Sequence, residues 1–363
     1  MNRITLIIII LIPALTALAQ STGPYRQIGV NGYIGDDYRH ADPLNDSDAR
    51  INPVFRGWAG GYVNYMPVGD VGPQWTDAAR ALGPATGEHF DIVSLGDLNQ
   101  GQIDAGAPPG SITLTFNEPN NIIRDKNGYD FVVFENGAPV DGPGDPGWGF
   151  VAGEIFAELA WVEVSTDGAN FVRFPPVSLT PVFTGPYGSL DPDNLYNLAG
   201  RHVNQNGICT GTPFDLGDIC EDPKVLAGQV DLNNIRFVRI VDIPGNGFFQ
   251  DQAVGFIDPN SDPNWKSYAA NHPIYDAWET WGSGGFDLEA VCVLREQQYA
   301  ADVNLDGIVN LDDLVVFRAA WLSRFGQARY FDRCDLARPR DYVINWRDFA
   351  VWADQWYRQE LWR

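Results

Sequence analysis

The stretch DVNLDGIVNLDDL, residues 302–314, places oxygen-bearing side chains at Asp302, Asn304, Asp306 and Asn310, closes on Asp313, and breaks the alternation once at Gly307. A hard cation such as calcium takes about six to eight oxygen ligands. A twelve-residue loop supplies them from positions 1, 3, 5, 7, 9 and 12, with glycine at position 6 for the sharp turn. Here those positions are Asp302, Asn304, Asp306, the Ile308 carbonyl, Asn310 and Asp313, so every slot is filled. A solvated turn that only caps a helix would account for the carboxylates, but not for the glycine and the periodic ligands together.

The loop leads into DLVVFRAAWL, which aligns with DFAVWADQWY at an offset of 35 residues, an internal duplication. Each copy repeats its apolar residues at helical spacing: Leu314, Phe317 and Trp321 in the first, Phe349, Trp352 and Trp356 in the second. Each helix therefore has one face to bury, and the nearest partner is the other copy. A pair of this size is close to the lower limit for independent folding, so calcium is expected as cofactor, its binding free energy serving as folding free energy. Extracellular calcium is steady, so the loop is expected to act as a staple rather than a sensor.

Loop, helix and duplication, with aspartate at the last ligand position, resemble the dockerin type I family over about residues 301–358. In the second copy, CDLARPRDYVINWRDF, the matching ligands are Asp341, Asn345 and Asp348. Tyr342 stands in place of the glycine, and Ala337 and Pro339 fall where the first ligands belong. Asp335 can substitute only if the loop carries extra residues, so one good calcium site and one weak or empty site are expected. The resemblance implies docking onto a cohesin-type or cell-surface protein. Its recognition positions correspond to Leu311 and Asp312 in the first repeat and to Trp346 and Arg347 in the second. These pairs share nothing, which argues against two interchangeable docking modes.

The remainder of the chain has to fold around this module and deliver it. Residues 1–19 combine Arg3, an apolar run from Ile4 to Leu15, and Ala17 and Ala19 in the spacing of signal-peptidase cleavage, so a secreted mature protein is expected. The apolar run is shorter than the roughly 20 residues that span a bilayer, so membrane insertion is not expected. A formal net charge of −23 over 363 residues argues against nucleic acid as a partner, because like charges repel. Among the four cysteines, Cys209 and Cys220 lie in one Gly/Pro/Asp-rich stretch and are the expected disulfide.

Residues 22–295, joined to the C-terminal module by a linker at 296–300, carry short β-branched and aromatic runs between Gly, Pro, Asn and Asp. SITLTF sets Ile112, Leu114 and Phe116 on one face, and AWVEVS sets Ala160, Val162 and Val164 against Trp161, Glu163 and Ser165. Such alternation predicts strands with one buried and one wet face. The fold class expected is mainly β, a jelly-roll-like β-sandwich followed by a small all-α, calcium-binding helix pair. AWVEVSTDGANFVRF and IRFVRIVD resemble strand pairs of galactose-binding-like and discoidin-like domains, and GYDFVVFENG and GSGGFDLEAV resemble secreted bacterial surface proteins.

The chemistry of this larger region is less sharply written. His40, His89, His202 and His272 show no metal spacing, and no G-x-S-x-G elbow appears. Aromatic residues beside glycines, Trp148, Trp265, Tyr268, Trp278 and Trp281, could form a platform for sugar rings. They could equally plug loops against the sandwich. The leading expectation is a non-catalytic, glycan-binding extracellular protein. The alternative is a polysaccharide-degrading glycoside hydrolase using a pair drawn from Asp130, Glu135, Glu154, Glu158 and Glu163.

Overall fold

The computed structural model describes residues 25, 27–117, 121–140, 153–252, 270–324, 327, 329–338 and 341–361. The fold is mainly β, built on two antiparallel sheets. In the first sheet the strands run in the order Val30–Asn31, Thr210–Phe214, Phe131–Glu135, Asp287–Leu294, Phe55–Trp58, with Val93–Ser94 also paired to Asp287–Leu294. In the second the order is Val172–Arg173, Ala160–Ser165, Phe237–Asp242, Ser111–Thr115, Gly61–Met66. The signal-like residues 1–19 lie outside the described residues. Among the described residues, no helix is long and apolar enough to cross a membrane.

The alternation read in the sequence explains the core. Ile112, Leu114 and Phe116 from one sheet meet Phe131, Val133, Leu288, Val291 and Val293 from the other in a single buried cluster. The β-branched and aromatic side chains at every second position give each sheet a continuous apolar face. The strands Phe131–Glu135 and Asp287–Leu294 are buried along their whole length, in keeping with runs that are apolar on both faces, and their acids Glu135, Asp287 and Glu289 are buried with them.

The wet face expected for Ala160–Ser165 is not wet, since all six of its residues are buried. Trp161 packs into a second cluster with Ile155, Leu159, Leu190, Leu195 and Ile274, contributed by the long connections that fold back over this sheet. Glu163 is held there by ion pairs to Arg173 and Arg239. The expected linker is likewise tied down: Gln297 is buried, donates to the Tyr129 carbonyl and accepts from Arg333.

Two helices follow, Leu311–Ala320 and Trp346–Asp354. Phe317 and Trp352 are buried between them, and Leu314, Trp321, Phe349 and Trp356 are partly buried around the same cluster. The segment is not isolated from the sheets. Leu305 enters the cluster formed by Val30, Val54, Phe55, Tyr129 and Phe134, and Arg39 pairs with Asp312 at 2.9 Å.

Cys209 and Cys220, the pair expected to form a disulfide, are both free cysteines here, the first buried and the second exposed. The extended strand Thr210–Phe214 lies between them.

Candidate functional site

The loop at 302–313 is organised around two buried carboxylates. Asp302 accepts from the backbone N–H of Asp306 and Gly307, and Asp313 accepts from Val303 and, through its other oxygen, from Asn310. Asn310 caps the helix by accepting from Asp312 N, and with Asp313 it forms a capping box. The Asn310 amide reaches the Ile308 carbonyl, and Asn304 reaches Asp306. These bonds tie the predicted ligands Asp302, Asn304, Asp306, Ile308, Asn310 and Asp313 into one loop, although the oxygens of Asp302, Asp306 and Asp313 do not all lie within 4.8 Å of one another. Burial, then Asp313 and Asp306, push the Asp302 carboxyl well above its usual range. The Asp313 carboxyl is pushed up to about 7, chiefly by burial. Carboxylates crowded in this way favour a cation among them.

The second loop reproduces these bonds despite its altered sequence. Asp348 accepts from Asn345 N and Ala337 N, Asn345 caps its helix through Arg347 N, and the Asn345 amide donates to the Val343 carbonyl. Asp335 accepts from Tyr342 N as Asp302 does from Gly307 N. The equivalences Asp306 with Asp341, Ile308 with Val343 and Asp313 with Asp348 keep the offset of 35, whereas Asp302 with Asp335 has an offset of 33. The loop therefore carries two extra residues (35 − 33 = 2), and they return Asp335 to the first ligand position. Asp335, Asp341 and Asp348 each bring an oxygen within 4.8 Å of the others. The donor set suits a hard cation, with only Ala337 failing to offer a side-chain oxygen.

The two repeats are crossed. Val309 exchanges backbone hydrogen bonds with Tyr357 and Arg358 beyond the second helix, and Ile344 does so with Leu322 and Ser323 beyond the first. Each loop is therefore braced by the tail of the other helix. Of the recognition positions, Leu311 and Trp346 are exposed. Asp312 is engaged by Arg39, and Arg347 donates to Asp341 at 2.8 Å.

In the β region the aromatic expectation divides. Trp148, Trp265 and Tyr268 lie outside the described residues. Trp278 is half-buried, donates from its indole nitrogen to the Leu98 carbonyl at 2.9 Å, and has its ring against Phe183. It is a plug. Trp281 is 68% exposed. It borders a cleft of about 230 Å³ with Asp70, Asp97, Asn99, Gln102 and Glu279. Burial pushes the Asp97 carboxyl up to about 7, and Thr280 donates to it from both N and Oγ1.

The candidate acids separate as well. Asp130 accepts from Lys126 N and Leu216 N, Glu154 accepts from Ser189 Oγ, and Glu163 is consumed by its two arginines. Asp130 also lies with Asp125 and Asp215 in a cluster whose oxygens fall within 4.8 Å. Glu135 and Glu158 belong instead to one buried group with Asp97, Asp242, Asp276 and Asp287, in which Asp97, Glu135, Asp242 and Asp287 raise the pKa of other members. The sequence reading missed Asp97, Asp242, Asp276 and Asp287. Of these, Asp242 carried a signal, standing two residues beyond the inward-facing Val238 and Ile240 on one alternating strand. No protein-family model matches this chain, and no curated protein matches it.

Proposed function

We propose that this is an exported, non-catalytic protein whose β region binds a glycan and whose C-terminal segment is a calcium-stapled, dockerin-like module for attachment to a cohesin-type or cell-surface partner. The reading takes residues 22–295 as a jelly-roll-like domain and 301–358 as the module. What carries it is the pair of loops with matching carboxylate, cap and backbone bonds, crossed so that each braces the other. The side chains of Asp302, Asn304, Asp306, Asn310 and Asp313 and the Ile308 carbonyl would hold one calcium, and Asp335, Asp341, Asn345 and Asp348 with the Val343 carbonyl a second. Calcium supplies cross-linking of carboxylates that otherwise repel. The protein's own part is to cap both helices and keep Leu311 and Trp346 in solvent.

The glycan reading rests on the cleft beside Trp281, where an exposed ring adjoins two amides and three carboxyls. Flat apolar faces and multiple hydroxyl partners are what a pyranose needs. A polysaccharide panel scored for both retention and reducing-sugar release tests it. Retention without release is expected. Trp281→Ala should abolish retention with the melting temperature unchanged, whereas Trp278→Ala should cost about 3 kcal/mol of stability. The hydrolase reading draws on one observation, the Asp97 carboxyl poised near neutrality in the same cleft. Sugar release abolished by Asp97→Asn would establish it in place of the binding reading.

A further inference from the structure

The segment expected as a linker, 296–300, runs along a pair of clefts where the sheets meet the C-terminal segment. Leu294 pairs with Phe55 and Val293 with Gly57, which leaves Arg56 as the extra residue of a bulge. A bulge re-aims its side chain. Arg295 follows at once, its N–H donating to the Val54 carbonyl. Arg56, Arg295 and Lys126 line a cleft of about 290 Å³ with Glu296 and the exposed Leu361. Their chain neighbours Asn127 and Gln297 line a second cleft, of about 400 Å³, to which the C-terminal segment brings Arg333 and Arg338. Asp215 is the acid there, and Gln298 adds a further amide.

Five cations and two carboxylates thus line adjoining clefts on a chain whose formal net charge is −23. The guanidiniums are oriented by neutral acceptors. Arg56 donates to the Ile122 carbonyl, Arg295 to that of Pro53, and Arg338 to that of Asp335. Arg333 donates to the Asp302 carbonyl and to the Gln297 side chain. A carbonyl fixes the direction of a guanidinium without neutralising it. Lys126 pairs with Glu296 at 3.0 Å, but both are exposed, and such a pair is weak enough for another acid to displace. Clefts lined mainly by one sign of charge concentrate its field. The Trp281 cleft, lined by Asp70, Asp97 and Glu279, has the opposite sign.

We propose that these two clefts form a second saccharide site, separate from the Trp281 cleft, which takes an acidic polysaccharide bearing carboxylate or sulfate groups. Arg56, Arg295, Lys126 and Arg338 bind the acid groups, for which a planar guanidinium offers paired N–H donors. The amides of Asn127 and Gln298, both exposed, offer a donor and an acceptor each to ring hydroxyls. That mixture favours a sugar over an acidic peptide, whose carboxylates need cations alone. Because Arg56 belongs to a sheet strand and Arg338 to the C-terminal segment, a bound chain bridges the two.

The test measures binding of the full-length chain to immobilised polygalacturonate, dextran sulfate, uncharged dextran and polyglutamate, at fixed calcium and ionic strength. Binding to an acidic polysaccharide and not to dextran is expected, the tighter of the two identifying carboxylate or sulfate as the group read. Arg56→Gln/Arg295→Gln should weaken it by about tenfold, and added salt should weaken it further. Trp281→Ala should leave it unchanged, which separates this site from the first. If the double variant does not fold, Arg295→Gln alone, at an exposed position, should still weaken binding by about threefold. Absence of binding to both acidic polysaccharides, equal binding to dextran, or unchanged affinity in a folded arginine variant would overturn the proposal. Polyglutamate bound as tightly as either polysaccharide would replace it with an acidic-peptide site.

Discussion

The two C-terminal loops reach the same geometry from unequal sequences. In the first, every oxygen sits at its expected spacing and Gly307 takes the turn at φ 86°. In the second, Tyr342 takes that turn at φ 56°, the third position is Ala337, and two added residues carry the chain around. Yet Asp313 accepts from Asn304 N and Asn310 N as Asp348 does from Ala337 N and Asn345 N, and Asn310 and Asn345 cap in the same way. What is held constant is the join between loop and helix. At the entry to the second loop one Asp335 oxygen accepts from both Tyr342 N and the Tyr330 hydroxyl.

The largest test of this equivalence removes the shared carboxylate. Asp313→Ala and Asp348→Ala each delete bonds to two loop segments and half of a capping box, and each should destabilise the C-terminal segment by about 2–4 kcal/mol. Helix content and melting in calcium would measure it. Near-equal losses support a true duplication, and a silent Asp348→Ala would break the comparison.

Metal binding separates the loops more finely. The spacing of the second copy predicts one good site and one weak or empty site, and the convergence of Asp335, Asp341 and Asp348 makes an ion at the second loop the outcome to test. Asp335→Ala should remove one ion and leave the first loop's affinity unchanged, read by calorimetry with calcium. Loss of no ion would restore the original expectation. Isolated residues 299–363 should respond to calcium less than the full chain does, because Leu305 leaves its pocket among Val30, Phe55 and Tyr129.

The legibility of the molecule follows the range of its signals. Loop one, the helix faces and the inward residues Ile112, Leu114 and Phe116 were readable because each depends on spacing within a few residues. Asp335 was readable only as a condition, since a fixed offset of 35 hides a two-residue insertion. The burial of Trp161 and Glu163 was not readable, because connections distant in sequence cover them. The acidic end of the core was hidden for the same reason: Glu135, Glu158 and Asp242 each look like an ordinary strand terminus until three strands are set side by side.

Arg347 offers a smaller test. Its guanidinium sits on Asp341 in the second loop, whereas in the first loop Asp306 accepts from the Asn304 amide and Ile308 N. An exposed pair of this kind is worth about 0.5–1 kcal/mol. Arg347→Ala should therefore tighten calcium at the second loop by about two- to fivefold and leave the first loop alone. Weaker binding at the second loop would mean that Arg347 orders Asp341 rather than competing for it. The same variant, with calcium saturating, would also show whether this side chain contributes to partner docking.

The smallest effect is expected at the turn where the two loops differ most plainly. A left-handed backbone is strained for a residue with a Cβ and free of that strain for glycine. Tyr342 is half-buried and holds φ at 56°, and its amide N–H must still reach Asp335. Tyr342→Gly relieves the strain but widens the conformational freedom of the unfolded chain, and the two terms oppose each other. The net gain should be no more than about 1 kcal/mol, while the reverse comparison, Gly307→Ala, should lose about 1 kcal/mol with no compensation. Melting temperatures of both variants at saturating calcium measure the pair. If Tyr342→Gly were destabilising by more than Gly307→Ala, the tyrosine ring would be contributing packing that the first loop has no counterpart for, and the insertion would be a remodelled entry rather than a tolerated one.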